Sequence, residues 1–218
     1  MAKLLGGAVS LGMLVFVRFA VQAAILVPLV WYSDAGFRFP KGTLHWVLIR
    51  TVLHILGIGL MFSALQYLPL ADALAIAFVM PFIMLLLGHF VMEEEVGQHR
   101  MAACAVGFIG TLLVIQPNFV AIGYPALLPL GVAVIFALFM MVTRRLARQI
   151  DAVKLQAISG VQACIILLPL FVLQADAANT VAQGTLVMLF LLGVIGTVAH
   201  LFMTWSLRFA PASTLAPM

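Results

Sequence analysis

This sequence contains very few charged residues. Only 8% of its 218 residues are Asp, Glu, Lys or Arg, whereas 65% are hydrophobic. Because soluble domains contain about 25% charged residues, this chain has too few charges to cover a surface that faces water. The composition therefore excludes a soluble globular protein and indicates an integral membrane protein.

The sequence also has only two cysteines and lacks the common motifs of enzyme active sites. The two cysteines, Cys104 and Cys164, each lie inside an apolar segment and form no CxxC motif, so there is no disulfide framework. The motifs HExxH and GxSxG do not occur, and no apolar segment contains a pair of aspartates. We therefore expect that the protein is not an enzyme and that it needs no cofactor.

Long apolar runs dominate what the sequence does contain. A membrane-spanning helix needs about 20 mostly apolar residues, and seven segments are candidates, followed by an apolar stub that begins at Ala212. Runs such as AVIFALFMMV lack the period-two alternation of a barrel strand, so we predict an all-α, multi-pass transmembrane helical bundle. The seven segments are Leu4–Tyr32, Leu44–Gln66, Leu70–Met92, Met101–Gln116, Tyr124–Thr143, Val153–Gln174 and Thr185–Leu207.

Basic residues are distributed unevenly between the two sets of loops. Only Lys3 falls on one side of the predicted membrane, whereas the other side holds Arg38, Lys41, Arg100, Arg144, Arg145, Arg148, Lys154 and Arg208. Since cytoplasmic loops carry an excess of Lys and Arg, we predict that these basic loops face the cytoplasm. The net charge of +4 forms no continuous patch, which argues against nucleic acid as a partner.

The second half of the sequence repeats features of the first. The corner ALQYLPLADALAI (Ala64–Ile76) resembles the C-terminal SLRFAPASTLAPM when Pro69 is aligned with Pro211, and a similar offset aligns Pro28 with Pro169. This offset contains an odd number of helices, so the second copy would enter the membrane inverted. Inverted repeats are typical of secondary transporters that alternate access to a site between two halves.

The block Arg50–Pro117 resembles the EamA-type branch of the drug/metabolite transporter superfamily. The resemblance is carried by the ALxYLPLADAxAIxFxxPF stretch of Ala64–Phe82, by Glu94 followed by Val96–Gly97 and a His-Arg pair, and by the GFxGxLLxxxP run of Gly107–Pro117. The segment SLRFAPAS is similar to the same corner in a second repeat.

This resemblance implies ten helices in two inverted five-helix repeats in a bacterial inner membrane. About seven complete helices and one partial helix would be present here, with a first repeat at 1–117 that lacks its first helix and a second at 118–218 that is truncated at its C-terminal end. It also implies a secondary transporter of small organic metabolites (amino-acid-like, nucleoside-like or drug-like) that works by alternating access and is coupled to protons or to exchange. The partners would be the lipid bilayer, a small-molecule substrate and, in one arrangement, a second copy as a homodimer. A membrane-embedded enzyme and an inactive or scaffolding truncated protein stay open as alternatives.

Polar residues inside the predicted spans are the candidates for substrate binding. Arg18 lies mid-segment, with Gln22 one turn further along the same face, and a charge at that depth costs at least about 2.5–3.5 kcal/mol to insert. Arg18 would bind an anionic substrate group such as a carboxylate, or instead satisfy carbonyls at a helix C-terminus. His54 and His200 would transfer protons or line a cavity, or simply pack as hydrogen-bonded histidines. Trp205 would line a cavity or anchor its helix at the membrane interface.

Other marked residues favour structural interpretations. Arg50 lies about 9 Å inside its helix, where we expect its side chain to snorkel to the interface. Pro69, Pro81 and Pro211 are predicted structural or hinge positions at corners and inside a span. Four-apart His/Glu pairs between residues 89 and 99 are typical of solvated loop edges, so we expect no metal site. Close helix packing is predicted at the small residues Ala103, Gly107, Gly110, Gly193 and Gly196.

Overall fold

The fold follows the apolar segments of the sequence. The structure, a computed structural model, describes residues 9–33, 39–40, 42–92, 97–115, 123–174 and 183–209. Within these ranges the chain is helical, without β-strands, which confirms the all-α, multi-pass prediction. The helices are α1 (Leu11–Tyr32), α2 (Leu44–Tyr67), α3 (Leu70–Ala77), α4 (Met80–Met92), α5 (Gln98–Ile115), α6 (Leu127–Ala147), α7 (Ala152–Leu173) and α8 (Gln183–Phe209).

Six stretches of the described chain are long and apolar enough to cross a membrane, and α3 with α4 makes one of them. The described part of the predicted span Met101–Gln116 lies in α5, whose strongly apolar part is the shorter run Met101–Gly110, so α5 is not one of these six stretches. Helix α6 continues one turn beyond its predicted end at Thr143. It does so because Arg144 and Arg145 are good helix formers, and because cations favour the last turn of a helix.

Pro81 marks the break between α3 and α4. Its ring nitrogen has no hydrogen to donate to the carbonyl of Ala77, four residues earlier. Helix α3 therefore ends at Ala77, a turn follows at residues 78–79, and α4 begins at Met80. Pro69 is the N-cap of α3, whereas Pro211, the third predicted hinge, lies outside the described residues.

Two long helix pairs form the centre of the bundle. Helix α1 packs along α7, α2 packs along α6, and α8 lies against α1 with further contacts to α6 and α7. Fully buried apolar side chains fill these contacts, including Phe19 of α1 and Phe139 of α6. Large apolar residues on the outer faces, such as Leu173 and Phe202, are exposed, as expected for surfaces that face lipid. The centre of this bundle is where polar side chains collect.

Glycine brings α8 close to α1. A Cβ on Gly193 would lie 2.7 Å from the Cβ of Val21, and a Cβ on Gly196 would lie 3.1 Å from Nε of Arg18. The predicted close packing is therefore found at this contact, whereas a Cβ on Gly110 of α5 would meet no described atom within 4 Å. Gly193 and Gly196 thus set the distance at which α8 presents its side chains to α1.

Substituting Gly193→Ala should destabilise the bundle, because the added methyl group forces α1 and α8 apart. We expect a loss of about 1–3 kcal/mol, the usual cost of overpacking, measured as a lower thermal unfolding midpoint of the purified protein in detergent. The matched control is Gly184→Ala on the same helix, where an added Cβ meets nothing within 4 Å. Equal midpoints for the two variants would contradict the close contact.

Candidate functional site

Polar side chains from five helices meet in the interior of the bundle. Each comes from α1, α2, α6, α7 or α8, and together we call them the polar core. Most are completely or almost completely buried, and hydrogen bonds link most of them across helices. The members are Arg18, Gln22, Arg50, Thr51, His54, Thr143, Gln156, Ser159, Gln162, His200 and Thr204.

Arg50 links three helices from the centre of the polar core. Its side chain is 0% exposed. Nε donates to Oγ1 of Thr143 at 2.9 Å, Nη1 donates to Oγ of Ser159 at 2.7 Å, and Nη2 lies 3.5 Å from Oγ1 of Thr204. The guanidinium carbon also lies 4.8 Å from the ring centroid of Phe139. The expectation that Arg50 snorkels is therefore wrong, because hydroxyl groups and an aromatic ring satisfy the guanidinium inside the bundle.

Two glutamines join α1 to α7 and α8. The amide nitrogen of Gln22 donates to the backbone carbonyl of Gln156 at 2.8 Å and to its side-chain oxygen at 3.2 Å. The amide nitrogen of Gln156 in turn donates to the carbonyl of His200 at 2.9 Å and to Oγ1 of Thr204 at 2.8 Å. Gln22, predicted from sequence as a binding residue, is thus held by the same network that holds Thr204 near Arg50.

His54 and His200 form a pair across the polar core. Their Nε2 atoms lie 3.3 Å apart, and their ring centroids are 4.3 Å apart. One Nε2 must donate and the other accept, so one ring carries its hydrogen on Nδ1 and the other has a lone pair there. Neither Nδ1 has a hydrogen-bond partner among the described residues. The ring of His54 also packs edge-on against Phe19 and tilted against Phe139, at 5.0 and 4.7 Å between centroids.

Arg18 lies in the same region but has fewer partners than Arg50. Its side chain is 6% exposed, and no described group accepts a hydrogen bond from Nη1. The guanidinium lies against Gly196, and its carbon is 5.0 Å from the ring centroid of Phe19. Phe19 also packs edge-on against His54, and Gly196 lies one turn before His200 on α8, so Arg18 is near both histidines. The structure therefore brings together four of the five residues predicted from sequence to bind substrate.

The polar contacts cross between the two halves of the chain. Gln22 and Arg50 bond to α6, α7 and α8, as described above, and His54 meets His200. Oγ1 of Thr51 likewise donates to the side-chain oxygen of Gln162 on α7 at 2.8 Å. The seam between α1–α2 and α6–α8 is thus polar at its centre, where most membrane-protein helix contacts are apolar.

The polar core contains cations without carboxylates. Helices α1, α2, α6, α7 and α8 contain no Asp or Glu, and the acidic residues of the described chain, Asp72 and Asp151, lie at the starts of α3 and α7. An arginine side chain stays protonated in proteins. The guanidinium charges of Arg18 and Arg50 therefore have no carboxylate of these five helices to neutralise them.

Trp205 lies away from the polar core. Trp205 is 53% exposed, packs edge-on against Phe209 with centroids 5.5 Å apart, and lines a groove of about 500 Å³ beside Asp151. No group of three His, Cys, Asp or Glu residues able to hold a metal occurs in the part of the chain that the structure describes. Glu93 and Glu95, which complete the His/Glu pairs, lie outside that part.

An apolar cavity of about 320 Å³ adjoins the polar core. It lies between α2, the break at Pro81 and α6, with Met61 and Phe78 among its wall residues. Phe136 belongs to this wall and also meets the ring of His200, with centroids 6.1 Å apart. Phe136 therefore links the wall of the cavity to His200 of the polar core, and the predicted hinge Pro81 lines the cavity.

Sequence reasoning missed most of the hydroxyl and amide members of the polar core. A signal for them was present in the spacing of polar residues within apolar segments. Gln156 and Ser159 are three apart on α7, and His200 and Thr204 are four apart on α8, so each pair lies on one helix face. The same spacing joins Arg50 to His54, and it marks the inward face of each helix.

Replacing Arg50 with lysine should destabilise the folded bundle. A lysine keeps the charge but presents a compact ammonium group in place of the planar fork, so it cannot reach hydroxyls on three helices at once. We expect a loss of about 1.5–3 kcal/mol, the worth of a hydrogen bond to a charged group, seen as a lower unfolding midpoint. The exposed Arg145, whose guanidinium stacks on Trp46, is the control, and Arg145→Lys should change the midpoint little. An unchanged midpoint for Arg50→Lys would show that these contacts do not hold the halves together.

Comparison with known proteins finds relatives that are named as transporters, and this chain spans only about half the length of the first of them. A riboflavin transporter of Rhizobium johnstonii is 31% identical over 172 residues, which cover 78% of this chain and 56% of that protein. An S-adenosylmethionine uptake transporter of Rickettsia prowazekii is 22% identical over 218 residues, covering 100% of this chain and 72% of that protein. A solved crystal structure matches the fold with a TM-score of 0.70 at 22% identity, covering 99% of this chain and 78% of the other.

The family assignment rests on a match to nearly the whole chain. The model of the EamA-like transporter family matches residues 1–116 and again residues 123–218. The two matched stretches meet near the loop between α5 and α6, and the polar core lies where helices of both stretches touch. The chain belongs to the EamA-like transporter family.

Proposed function

We propose that this protein is a secondary transporter that carries a small organic metabolite across a bacterial inner membrane, with the polar core as its solute site. The observation that carries the proposal is the buried polar core at the seam between the two halves, whose two guanidinium charges meet no carboxylate of the surrounding helices. Polar and ionisable groups are expensive inside a membrane, and those that persist there usually belong to a transport pathway. Relatives named as transporters of riboflavin and of S-adenosylmethionine support the same activity.

Four residues of the polar core would contact the solute. Arg18 supplies a cation, Gln22 a buried side-chain oxygen without a described partner, and His54 and His200 their two unpartnered Nδ1 atoms. Arg50 has a different role, since its three hydroxyl contacts already occupy it as a link between the halves. Trp205, on the outer face, would act from the neighbouring groove rather than from this site.

Two inverted repeats, at 1–117 and 118–218, would give the transporter its two halves. The helix bounds support this division, because the offset that aligns Pro28 with Pro169 also aligns the ends of α1 with the ends of α7. These two equivalent helices pack against each other along the centre of the bundle. Inverted repeats produce alternating access when one half rocks against the other around a fixed site.

The seam between the halves is suited to repeated opening. Hydrogen bonds between membrane helices are worth only about 0.6–2 kcal/mol each, so the contacts of Gln22, Thr51 and His54 can exchange for contacts with a solute. Coupling to protons would use the histidine pair, and the basic loops would face the cytoplasm. Pro69 and Pro81, at the start of α3 and at the α3–α4 break, would serve as structural or hinge positions, as would Pro211.

Uptake into proteoliposomes tests the transport activity directly. The purified protein should accumulate at least one solute from a panel that includes riboflavin, S-adenosylmethionine, amino acids and nucleosides. Arg18→Gln and His200→Gln should each reduce the initial rate by about tenfold, since each removes one interaction worth about 1.4 kcal/mol. Arg145→Gln, on the exposed face of α6, is the control and should transport normally. A panel without any transported solute would overturn the proposed function.

Tethering the two halves should stop transport reversibly. Thr51→Cys and Gln162→Cys would be combined in a protein whose native Cys104 and Cys164 are replaced by alanine, because Oγ1 of Thr51 and Oε1 of Gln162 lie 2.8 Å apart across the seam. A short, reducible bis-thiosulfonate linker should abolish uptake, and reduction should restore it. Full uptake in the linked protein would contradict alternating access through this seam.

A further inference from the structure

We propose that the solute carries a carboxylate, and that this group binds between Arg18 and the pair formed by His54 and His200. The inference rests on the proposed transport function and narrows it to one chemical class, an organic acid. It rests on the contrast between the two buried arginines, and on nitrogen atoms of Arg18, His54 and His200 that have no hydrogen-bond partner among the described residues. The cavity next to Phe136 supplies the room for the rest of the molecule.

The two arginines differ in how their charges are satisfied. Arg50 donates to the hydroxyl groups of Thr143 and Ser159 and approaches that of Thr204. The side chain of Arg18 is only 6% exposed, and no described group accepts a hydrogen bond from its Nη1. A buried cation of this kind is costly unless an anion or strong acceptor meets it. The five helices around it contain no carboxylate, so the carboxylate of a bound solute would supply the missing acceptor.

The atoms around Arg18 suit a carboxylate. Gly196 lets the guanidinium lie directly against α8, one turn before His200 on the same helix. Whichever tautomers the histidine pair adopts, one ring has an Nδ1 hydrogen that no described group accepts. A carboxylate has two oxygens that accept such hydrogens from a guanidinium and an imidazole together. The buried Oε1 of Gln22, one turn from Arg18, can accept a hydroxyl or amino hydrogen elsewhere on the same solute.

Binding of the carboxylate and of a proton should reinforce each other. The charged groups near the histidine pair are Arg18, which lies against Phe19 and Gly196, and Arg50, which shares the ring of Phe139 with His54. The core residues of α6 and α7 are uncharged. A proton added to the pair would place a third cation beside two others, and a bound carboxylate offsets that repulsion. By linkage, the affinity for the carboxylate should then rise as the pH falls.

The organic part of the solute would extend toward the apolar cavity. Its volume of about 320 Å³, with Phe78 and Phe136 in the wall, matches a flat unsaturated group rather than a second charge. Phe136 meets His200 on one side and the cavity on the other. A molecule with a carboxylate at one end and an aromatic ring at the other therefore fits both parts of the site.

Matched acids and neutral analogues test this inference on the full chain. The pairs are indole-3-acetate with indole-3-acetamide, benzoate with benzamide, and 10-carboxymethylflavin with 10-(2-hydroxyethyl)flavin. Each acid should raise the thermal unfolding midpoint of the purified protein more than its neutral analogue. For the best acid, the dissociation constant should be about tenfold lower than that of its analogue, and the ratio should grow from pH 8 to pH 6.

Variants at and beside Arg18 locate the effect. Arg18→Gln should bring the acid and its analogue to equal affinity, whereas Arg18→Lys, which keeps the charge, should retain part of the preference. Gly196→Ala, whose methyl group would lie 3.1 Å from Nε of Arg18, provides a second perturbation if Arg18→Gln fails to fold. The control is Arg145→Gln, which removes an exposed arginine from α6 and should leave the preference intact. His54→Gln should flatten the pH dependence.

The possible outcomes separate this inference from the proposed function. Equal binding of acids and neutral analogues, or stabilisation by none of the acids, would overturn the carboxylate site. Uptake of a neutral solute such as riboflavin with no preference for acids would leave the transport function standing while overturning the inference. A preference for acids that survives Arg18→Gln would show that the carboxylate binds elsewhere.

Discussion

The burial of a guanidinium group at Arg50 is the constraint on which the rest of the bundle depends. A charge with 0% exposure inside a membrane-spanning helix must find its partners within the protein. Here it finds Thr143 and Ser159, with Thr204 at longer range, on three different helices of the second half. Those helices can therefore meet α2 only in a register that presents their hydroxyls to Arg50. One buried charge thus fixes how the two halves face each other.

Two conditions distinguish an arginine that links helices from one proposed to bind a solute. A residue that holds three helices in register engages all three of its guanidinium nitrogens within the protein, whereas a residue proposed to bind a solute must be incompletely satisfied without it. Arg50 meets the first condition and Arg18 the second, since Nη1 of Arg18 has no acceptor among the described residues. Under the proposed function, Arg50 holds the seam together and Arg18 keeps an incompletely satisfied cation for the solute, and both charges lie among helices that contain no carboxylate.

The fold was predictable from the sequence to a greater extent than the site. Apolar length identified each helix, since a span needs about 20 apolar residues whatever its neighbours are. Arg18, Gln22, His54 and His200 stood out because polar groups are rare in such segments, and they do meet in space. Depth alone was misleading for Arg50, because snorkelling and inward burial start from the same position and differ only in helix rotation. That rotation is set by tertiary contacts with Thr143 and Ser159, which are residues of other segments.

A polar seam can specify how two groups of membrane helices fit together, which a purely apolar seam cannot. Lipid and an apolar interior are equivalent surroundings for a leucine, so an apolar seam would specify neither a register nor a place to open. The glycines at 193 and 196 bring α8 against α1 by close packing, which favours one distance between the helices. Next to that contact, the pair of His54 and His200 supplies a bond that one proton can change. Close packing at the two glycines and a polar contact that a proton can change therefore lie next to each other where α8 meets the first half of the chain.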